Sequence, residues 1–329
     1  MNMEAIMKKS ALVLCLFALG LTAFGSSPTE LIKGINKELV EGYTTPLVES
    51  YGVAMGTGLF YSAHAHKFLG FDIGARLMFI QIPTSAKTFD ARVMACSANT
   101  KYHRIDTFYV NLKNAATIFG PNHPDSSYIP DNAVGIPPFL PGGLGLSFVP
   151  FLVPQASLGL PIPGMELLVR YVPWPFEGNT VQFLGVGLKQ EITAFSRIDL
   201  PFNLAVQGFY QTLGIGDVIN STNYGGNIHI SKSFVAIAPY AGIGFENTDM
   251  KFDYEFQYEN PVGYDTVNQR IETEHKTESV KLNIKSGWNF RGTIGAALKF
   301  GPVLTNIDYN RNFSTGYNAI NFGLSFSLR

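Results

Sequence analysis

The sequence has few charged residues, few cysteines and no long apolar run beyond its N-terminus, and each shortage excludes a class of protein. Charged residues make up 15% of the 329 residues, well below the roughly 25% of soluble domains. Two cysteines, one of them at position 15, exclude a disulfide-rich scaffold. Beyond residue 25, no apolar run approaches the ~20 residues of a spanning helix. A membrane-spanning form of this chain would therefore be a β-barrel, which also satisfies every backbone group in lipid.

Glycine and aromatic residues are plentiful instead, with 33 Gly, 26 Phe and 15 Tyr. This composition is typical of strands and turns rather than of helices. The formal net charge of −1 gives no basic surface for a nucleic acid. We therefore expect an all-β protein without a nucleic-acid partner.

The N-terminus has the pattern of a secretory signal peptide. Lys8 and Lys9 precede an apolar run over residues 11–21, and the small residues Ala23 and Gly25 stand at positions −3 and −1 before a cleavage site. Residues 1–25 are therefore predicted to be removed, with translation starting at Met1 or at Met7. Export together with barrel-like strands predicts the outer membrane of a Gram-negative bacterium.

Residues 26–62 are predicted to form a short amphipathic helix followed by an apolar, glycine-rich segment. A capping box at 27–30 begins a helix of about 13 residues, and Gly42 is expected to end it. Two interpretations stay open, a cap outside the barrel or a plug inside it. In the plug interpretation, the side chains that line the lumen include Tyr43, Tyr51, Leu59 and Phe60.

Residues 63–329 are predicted to form one antiparallel transmembrane barrel of about 12 to 14 strands, because long segments alternate between apolar and polar residues. Glu166 and Arg170 fall on the polar, lumen face. A long Pro- and Gly-rich loop is expected at 120–163, where Phe139 and Leu140 would suit an apolar solute. By the same alternation, Phe252 to Tyr258 should point apolar side chains to lipid and Lys251, Asp253 and Glu255 to the lumen; Lys281 and Lys285 are assigned to the lumen too.

The last strand is the clearest, with Ile320, Phe322, Leu324, Phe326 and Leu328 on one face. Asn321, Gly323, Phe326 and Leu328 also resemble the terminal signal by which outer-membrane barrels bind their assembly machinery. This resemblance implies that machinery, and outer-membrane lipid, as partners. A soluble β-sandwich would show the same alternation, so a secreted binding protein stays an alternative.

Five short blocks resemble those of an uncharacterised family of bacterial envelope proteins regarded as outer-membrane β-barrels. They are residues 70–73 (GFDI), 87–90 (KTFD), 117–120 (TIFG), 140–144 (LPGGL) and 205–210 (AVQGFY). That family carries no assigned catalytic or binding residues. A more distant resemblance is to the long-chain fatty-acid and aromatic-hydrocarbon transporters, which place an N-terminal plug in a 14-stranded barrel. Their Asn-Pro-Ala signature near the mature N-terminus is missing here.

Motifs for chemistry are weak. His64 and His66 would share one face of a strand, which suits a metal, but Asp72 is the nearest acid in the sequence and no cysteine accompanies the pair. We expect the two histidines to lie in a loop or to line the lumen, with no metal and no cofactor. Neither a Gly-x-Ser-x-Gly elbow nor a His-Glu-x-x-His motif occurs, so an enzyme is not predicted. The function hypothesis is passage of small apolar or amphipathic solutes through a partly plugged barrel; the alternative is a closed structural or adhesive barrel.

Overall fold

A computed structural model of the chain describes residues 37–99, 104–122, 133–134, 142–176, 179–196, 200–216, 218–265, 267–268 and 270–328. The signal peptide, the capping box, Phe139 and Leu140 lie outside the described residues. Within these described residues, one α-helix precedes the strands, α1 (Lys37–Gly56). The strands are β1 (Phe71–Gln81), β2 (Thr88–Asn99), β3 (Arg104–Ala116), β4 (Ala133–Val134), β5 (Phe148–Gly159), β6 (Met165–Phe176), β7 (Asn179–Glu191), β8 (Asn203–Ile215), β9 (Ile219–Ser231), β10 (Ile237–Asp265), β11 (Arg270–Phe300), β12 (Val303–Asn312) and β13 (Asn318–Leu328).

Ten of these strands close into an antiparallel barrel, in the order β1-β13-β12-β11-β10-β9-β8-β7-β6-β5. The barrel closes where β1 pairs with β13 along its whole length, from Phe71 opposite Leu328 to Gln81 opposite Asn318. The remaining strands, β2, β3 and β4, form a separate three-stranded sheet. The predicted fold class is confirmed, but the barrel itself has ten strands rather than 12 to 14. The difference has two causes. The β2–β3 hairpin lies outside the barrel, and β10 and β11 are each one continuous strand where the alternating pattern predicts two.

The barrel carries apolar side chains outside and polar ones inside. On β13, Phe322 and Leu324 are 45% and 62% exposed, whereas Asn321 and Ser325 are buried. Many other large apolar side chains on the strands are exposed in the same way, among them Leu184, Leu188, Tyr210, Ile243 and Ile294. This arrangement is that of outer-membrane barrels, whose outer face meets lipid. The alternative of a soluble β-sandwich is wrong.

The two ends of the barrel differ. The turn end carries the connections at 160–164, 232–236 and 301–302, together with the start of β1 and the end of β13. The opposite end, here the extended end, carries the 82–147 excursion with β2–β4 and the tip of the β10–β11 hairpin. Outer-membrane barrels combine short periplasmic turns with longer extracellular loops.

The polarity of the β10–β11 hairpin inverts towards the extended end. Phe252 is 1% exposed and faces the interior, while Lys251 and Asp253 are exposed. The prediction for these three residues is therefore wrong, and Tyr254 to Tyr258 have no described side chains. Lys281 and Lys285 are likewise exposed rather than in the lumen.

The inversion has a physical cause. A register shift between Asn247 and Asp249 marks the change. Just on the barrel side of it, Trp288 contacts Tyr224 and Phe245, each with ring centroids 5.6 Å away, as in the aromatic girdle at a membrane surface. Beyond these rings the charged residues point outward and the apolar ones cover the interior, which is the arrangement expected of an outer face in contact with water.

The chain before β1 fills the barrel. We name residues 37–66 the inner segment, made of α1 and an extended tail, residues 57–66. Gly42 does not end the helix as predicted, because α1 continues through Pro46 to Gly56. Among the described residues, no helix is long and apolar enough to cross a membrane. A long loop was expected over residues 120–163. Part of that range is a barrel strand instead, because β5 begins at Phe148.

Candidate functional site: the filled lumen

The lumen has two tiers. Towards the extended end, α1 packs in an apolar tier whose wall includes Met78, Ile80, Val149, Val153, Val172, Phe183, Met250 and Phe252. Towards the turn end, the tail is surrounded by a tier rich in buried polar side chains. These are Asp72, Arg76, Gln155, Glu166, Arg170, Lys189, Glu191, Gln207, Gln211, Asn227, His229, Ser231, Asn306, Asp308 and Asn321.

Small residues let α1 approach the wall. A Cβ built on Gly52 would lie 2.5 Å from Thr248 Oγ1, and one on Gly56 would overlap the carboxylate of Glu246. Both glycines are therefore needed for close packing of α1 against the wall. At the extended end, burial raises the pKa of Tyr43 to about 12, so its phenol stays protonated and donates to Gly142 O at 3.4 Å.

Arg170 binds the C-terminal end of α1. Its Nη1 donates to Met55 O at 2.9 Å and its Nη2 to Thr57 O at 2.8 Å. The last carbonyls of a helix have no partner within the helix and carry its negative dipole end. The fully buried guanidinium supplies both hydrogen bonds and positive charge at that point. Gln155 Oε1 accepts from its Nε at 2.9 Å and orients it.

Polar side chains of the wall form hydrogen bonds with the main chain of the inner segment from Met55 to His66. Donors face its carbonyl groups: besides Arg170, Gln211 donates to Met55 O, Gln207 to Leu59 O and Lys189 to Ser62 O, at 3.0, 3.4 and 3.4 Å. Acceptors face its N–H groups: Ser231, Glu191 and Glu166 accept from Ala63, Ala65 and His66, at 2.8, 2.8 and 2.9 Å. The barrel therefore recognises the backbone of this segment through seven side chains on several strands.

Aromatic rings add to this contact. Phe60 stacks on His229 with ring centroids 4.0 Å apart and an interplanar angle of 10°, and it meets Tyr240 edge-on at 5.9 Å. Both wall residues are buried. The tail is therefore held by packing as well as by hydrogen bonds.

The predicted histidine pair separates in the structure. His64 Nδ1 lies 3.1 Å from Glu191, whereas His66 Nε2 lies 3.0 Å from Asp72. His66, Asp72 and Glu166 bring one ligand-type atom each to within 4.8 Å of one another. Both carboxylates already have cationic neighbours, because Lys189 Nζ is 2.8 Å from Glu166 and an Arg76 nitrogen is 3.9 Å from Asp72. The group is thus organised as an ion-pair cluster, which weakens it as a cation site.

Six of the eight residues predicted to line the lumen are described, and all six are buried: Tyr43, Tyr51, Leu59, Phe60, Glu166 and Arg170. Whether any of them meets a solute stays a prediction. Sequence reasoning missed Gln211, Ser231 and Glu191 as contacts of the inner segment. The alternating pattern could have placed them on the lumen face, but no sequence signal marks a side chain that bonds to a distant main chain.

A family profile covers nearly the whole chain: the family of unknown function DUF6588 matches residues 7–328. No curated protein matches the sequence significantly. Among solved structures, the outer membrane protease OmpT from Escherichia coli is 8% identical, with 79% of this chain and 97% of that chain covered and a TM-score of 0.33. The toluene transporter TodX from Pseudomonas putida is 7% identical, with 90% and 77% covered and a TM-score of 0.28. Ail, the attachment invasion locus protein of Yersinia pestis, is 6% identical, with 79% and 98% covered and a TM-score of 0.20.

Proposed function

The chain belongs to this family of unknown function, and from that premise we propose that it is an outer-membrane barrel whose inner segment gates the passage of small apolar or amphipathic solutes. The observation that supports the proposal is the way the lumen is filled. Eight-stranded barrels can fill their interior with wall side chains alone. Here the ten-stranded wall leaves room for a separate segment, and that segment can in principle leave without unfolding a strand.

The attachment of the inner segment fits a gate. The wall bonds to main-chain atoms of the tail mainly through polar side chains, and such bonds can be exchanged for bonds to water. The apolar tier, in contrast, would expose apolar side chains of the wall to the lumen once α1 moves. A solute that replaced α1 there would meet apolar surface, which favours a hydrocarbon over an ion.

The proposed location is the outer membrane of a Gram-negative bacterium, with lipid as the partner of the exposed apolar belt. Binding of the assembly machinery through Asn321, Gly323, Phe326 and Leu328 is proposed with it. On β13, Phe326 and Leu328 are 48% and 49% exposed and Asn321 is buried, so the apolar part of this signal is accessible on the outer face.

A closed structural barrel is the second candidate, and the extensive bonding of the tail favours it. Deletion of residues 37–66 separates the two functions. In planar bilayers, we expect wild-type protein to conduct little and the deletion variant to show large, stable conductance, with heat-modifiable gel mobility as the control for a folded barrel. If neither folded protein conducts and no apolar compound co-purifies with wild type, the structural barrel is favoured and the transport proposal is refuted.

A further inference from the structure

One seam of the barrel is only partly paired. β5 and β6 pair at five positions, from Gly159 opposite Glu166 to Gln155 opposite Arg170. Each of the other nine seams pairs at nine or more positions. β5 pairs with β1 from Phe148 to Leu158, and β6 pairs with β7 along the whole length of β6. The gap is therefore confined to residues 148–154 and 171–176, towards the extended end.

Hydrogen bonds at the turn end show which backbone groups point into this gap. Leu160 N donates to Met165 O across the seam, whereas Gly159 N donates to Gly70 O, towards β1. In antiparallel strands, the N–H and C=O of successive residues point alternately to the two neighbouring strands. Because the register of β5 with β1 is unbroken, the even-numbered residues of β5 face β6. By the same argument, the odd-numbered residues of β6 face β5.

Prolines occupy most of the positions that face the gap. Continued in the same register, Pro154 would oppose Tyr171, Leu152 would oppose Pro173, and Pro150 would oppose Pro175. These three pairs would normally supply six N–H donors, two from each pair, and four of the six positions are proline. An unsatisfied donor is costly in hydrocarbon. Proline removes four of the six donors and so lowers the cost of leaving these strands apart, although the N–H groups of Leu152 and Tyr171 and the carbonyl groups still face the gap.

Both sides of the gap are apolar. On the inner side, Val149, Val153 and Val172 are 3%, 0% and 1% exposed and belong to the apolar cluster around α1. On the outer side, Tyr171 is 54% exposed, and Leu152 lies beside Leu77 of β1. The gap therefore joins the apolar outer face to the apolar tier of the lumen and bypasses the polar tier.

We propose that the β5–β6 gap is a lateral portal through which the hydrocarbon part of a lipid-soluble solute passes between the bilayer and the apolar tier. The portal rests on the proposed transport function and gives it a route. An apolar wall without fixed charge favours hydrocarbon groups and disfavours ions and sugars.

A reversible staple tests the portal. Val153 and Val172 would face each other at a non-hydrogen-bonded pair, where paired strands lie ~4.5 Å apart at Cα, within the range of a disulfide. The variant is Val153→Cys/Val172→Cys with Cys96→Ser, in the chain from residue 26 onward and in lipid nanodiscs. A short bifunctional thiol reagent is the second way to close the pair. The matched control is a Thr305→Cys/Leu324→Cys staple across the fully paired β12–β13 seam.

The probe is dodecanoic acid carrying a photoreactive diazirine, and cross-linked peptides are mapped by mass spectrometry. We expect the probe to label residues 149–153 and 172 in the reduced protein. Closing the staple should lower this labelling at least tenfold, and reduction should restore it, while the control staple changes nothing. Replacing Pro150, Pro154, Pro173 and Pro175 together by Thr should lower labelling in the same way, because it restores the four donors.

The outcomes separate the portal from the function on which it rests. If labelling of the apolar tier is unchanged by both the staple and the proline replacements, the portal is refuted but the transport proposal is not. No labelling of the interior in any variant, together with silent planar bilayers, would overturn both.

Discussion

Replacing Arg170 by Met should release the inner segment. The guanidinium makes two hydrogen bonds to main-chain carbonyls of that segment, at 2.9 and 2.8 Å, and bonds to a charged group contribute about 1.5–3 kcal/mol each. Their loss amounts to roughly 3–6 kcal/mol of docking energy. Since 1.4 kcal/mol changes an equilibrium constant tenfold, the fraction of protein with a released inner segment should rise by about 10²- to 10⁴-fold. The rise should lie towards the lower value if water bonds to the carbonyls that Arg170 leaves.

Thiol labelling measures this release. Ser50 lies in α1 and is fully buried, so Ser50→Cys in a Cys96→Ser chain reacts with a maleimide only when the segment leaves. Arg291→Met is the matched control, because the described bonds of Arg291 go to the wall residues Glu246, Thr293 and Asn310 and none to the inner segment. Labelling that is unchanged by Arg170→Met, or raised equally by Arg291→Met, would refute the assignment of Arg170 as the contact that holds the helix end.

Three further predictions concern packing, pH and lipid. Gly56→Ala should raise labelling of the inner segment at least tenfold, because the added methyl group overlaps the carboxylate of Glu246; equal labelling would mean that the wall yields freely. Burial, opposed by a hydrogen bond from Tyr317, raises the pKa of Glu49 above its ordinary 4.5, so the stability of the docked state should be full below pH 4.5 and should fall as the pH rises through the raised pKa. Glu49→Gln should flatten this fall in thermal unfolding, and an identical pH profile would contradict it. Leu324→Arg, at a lipid-facing position that is 62% exposed, should cost ~2–4 kcal/mol if it lies at mid-membrane and should reduce heat-modifiable barrel far more than Leu324→Ala does.

The sequence by itself determined the fold class and the faces of the clearest strand. Alternation from Ile320 to Leu328 is a local property, and it places side chains correctly because a strand turns every residue to the opposite face. The same alternation assigns Glu166 and Arg170 to the lumen face, and both side chains are buried in the structure.

Only the tertiary structure showed where along a strand the apolar residues change from the outer face to the inner face. Phe252 and Lys251 alternate as strand residues should, but the sequence does not show that beyond Trp288 the apolar residue points inward and the charged residue outward. The length of the helix was underestimated for a related reason, since Gly42 was expected to end it and the sequence does not show that this glycine packs closely against Phe89 of β2.

The interior contacts and the open seam also depend on the tertiary structure. Met55 lies 115 residues from Arg170, and no local pattern relates a side chain to a carbonyl at that distance. Pro150, Pro154, Pro173 and Pro175 were visible in the sequence as residues that cannot donate to a ladder. Only strand pairing shows that all four face the same gap, because the direction of an N–H group depends on the neighbour that each strand acquires on folding.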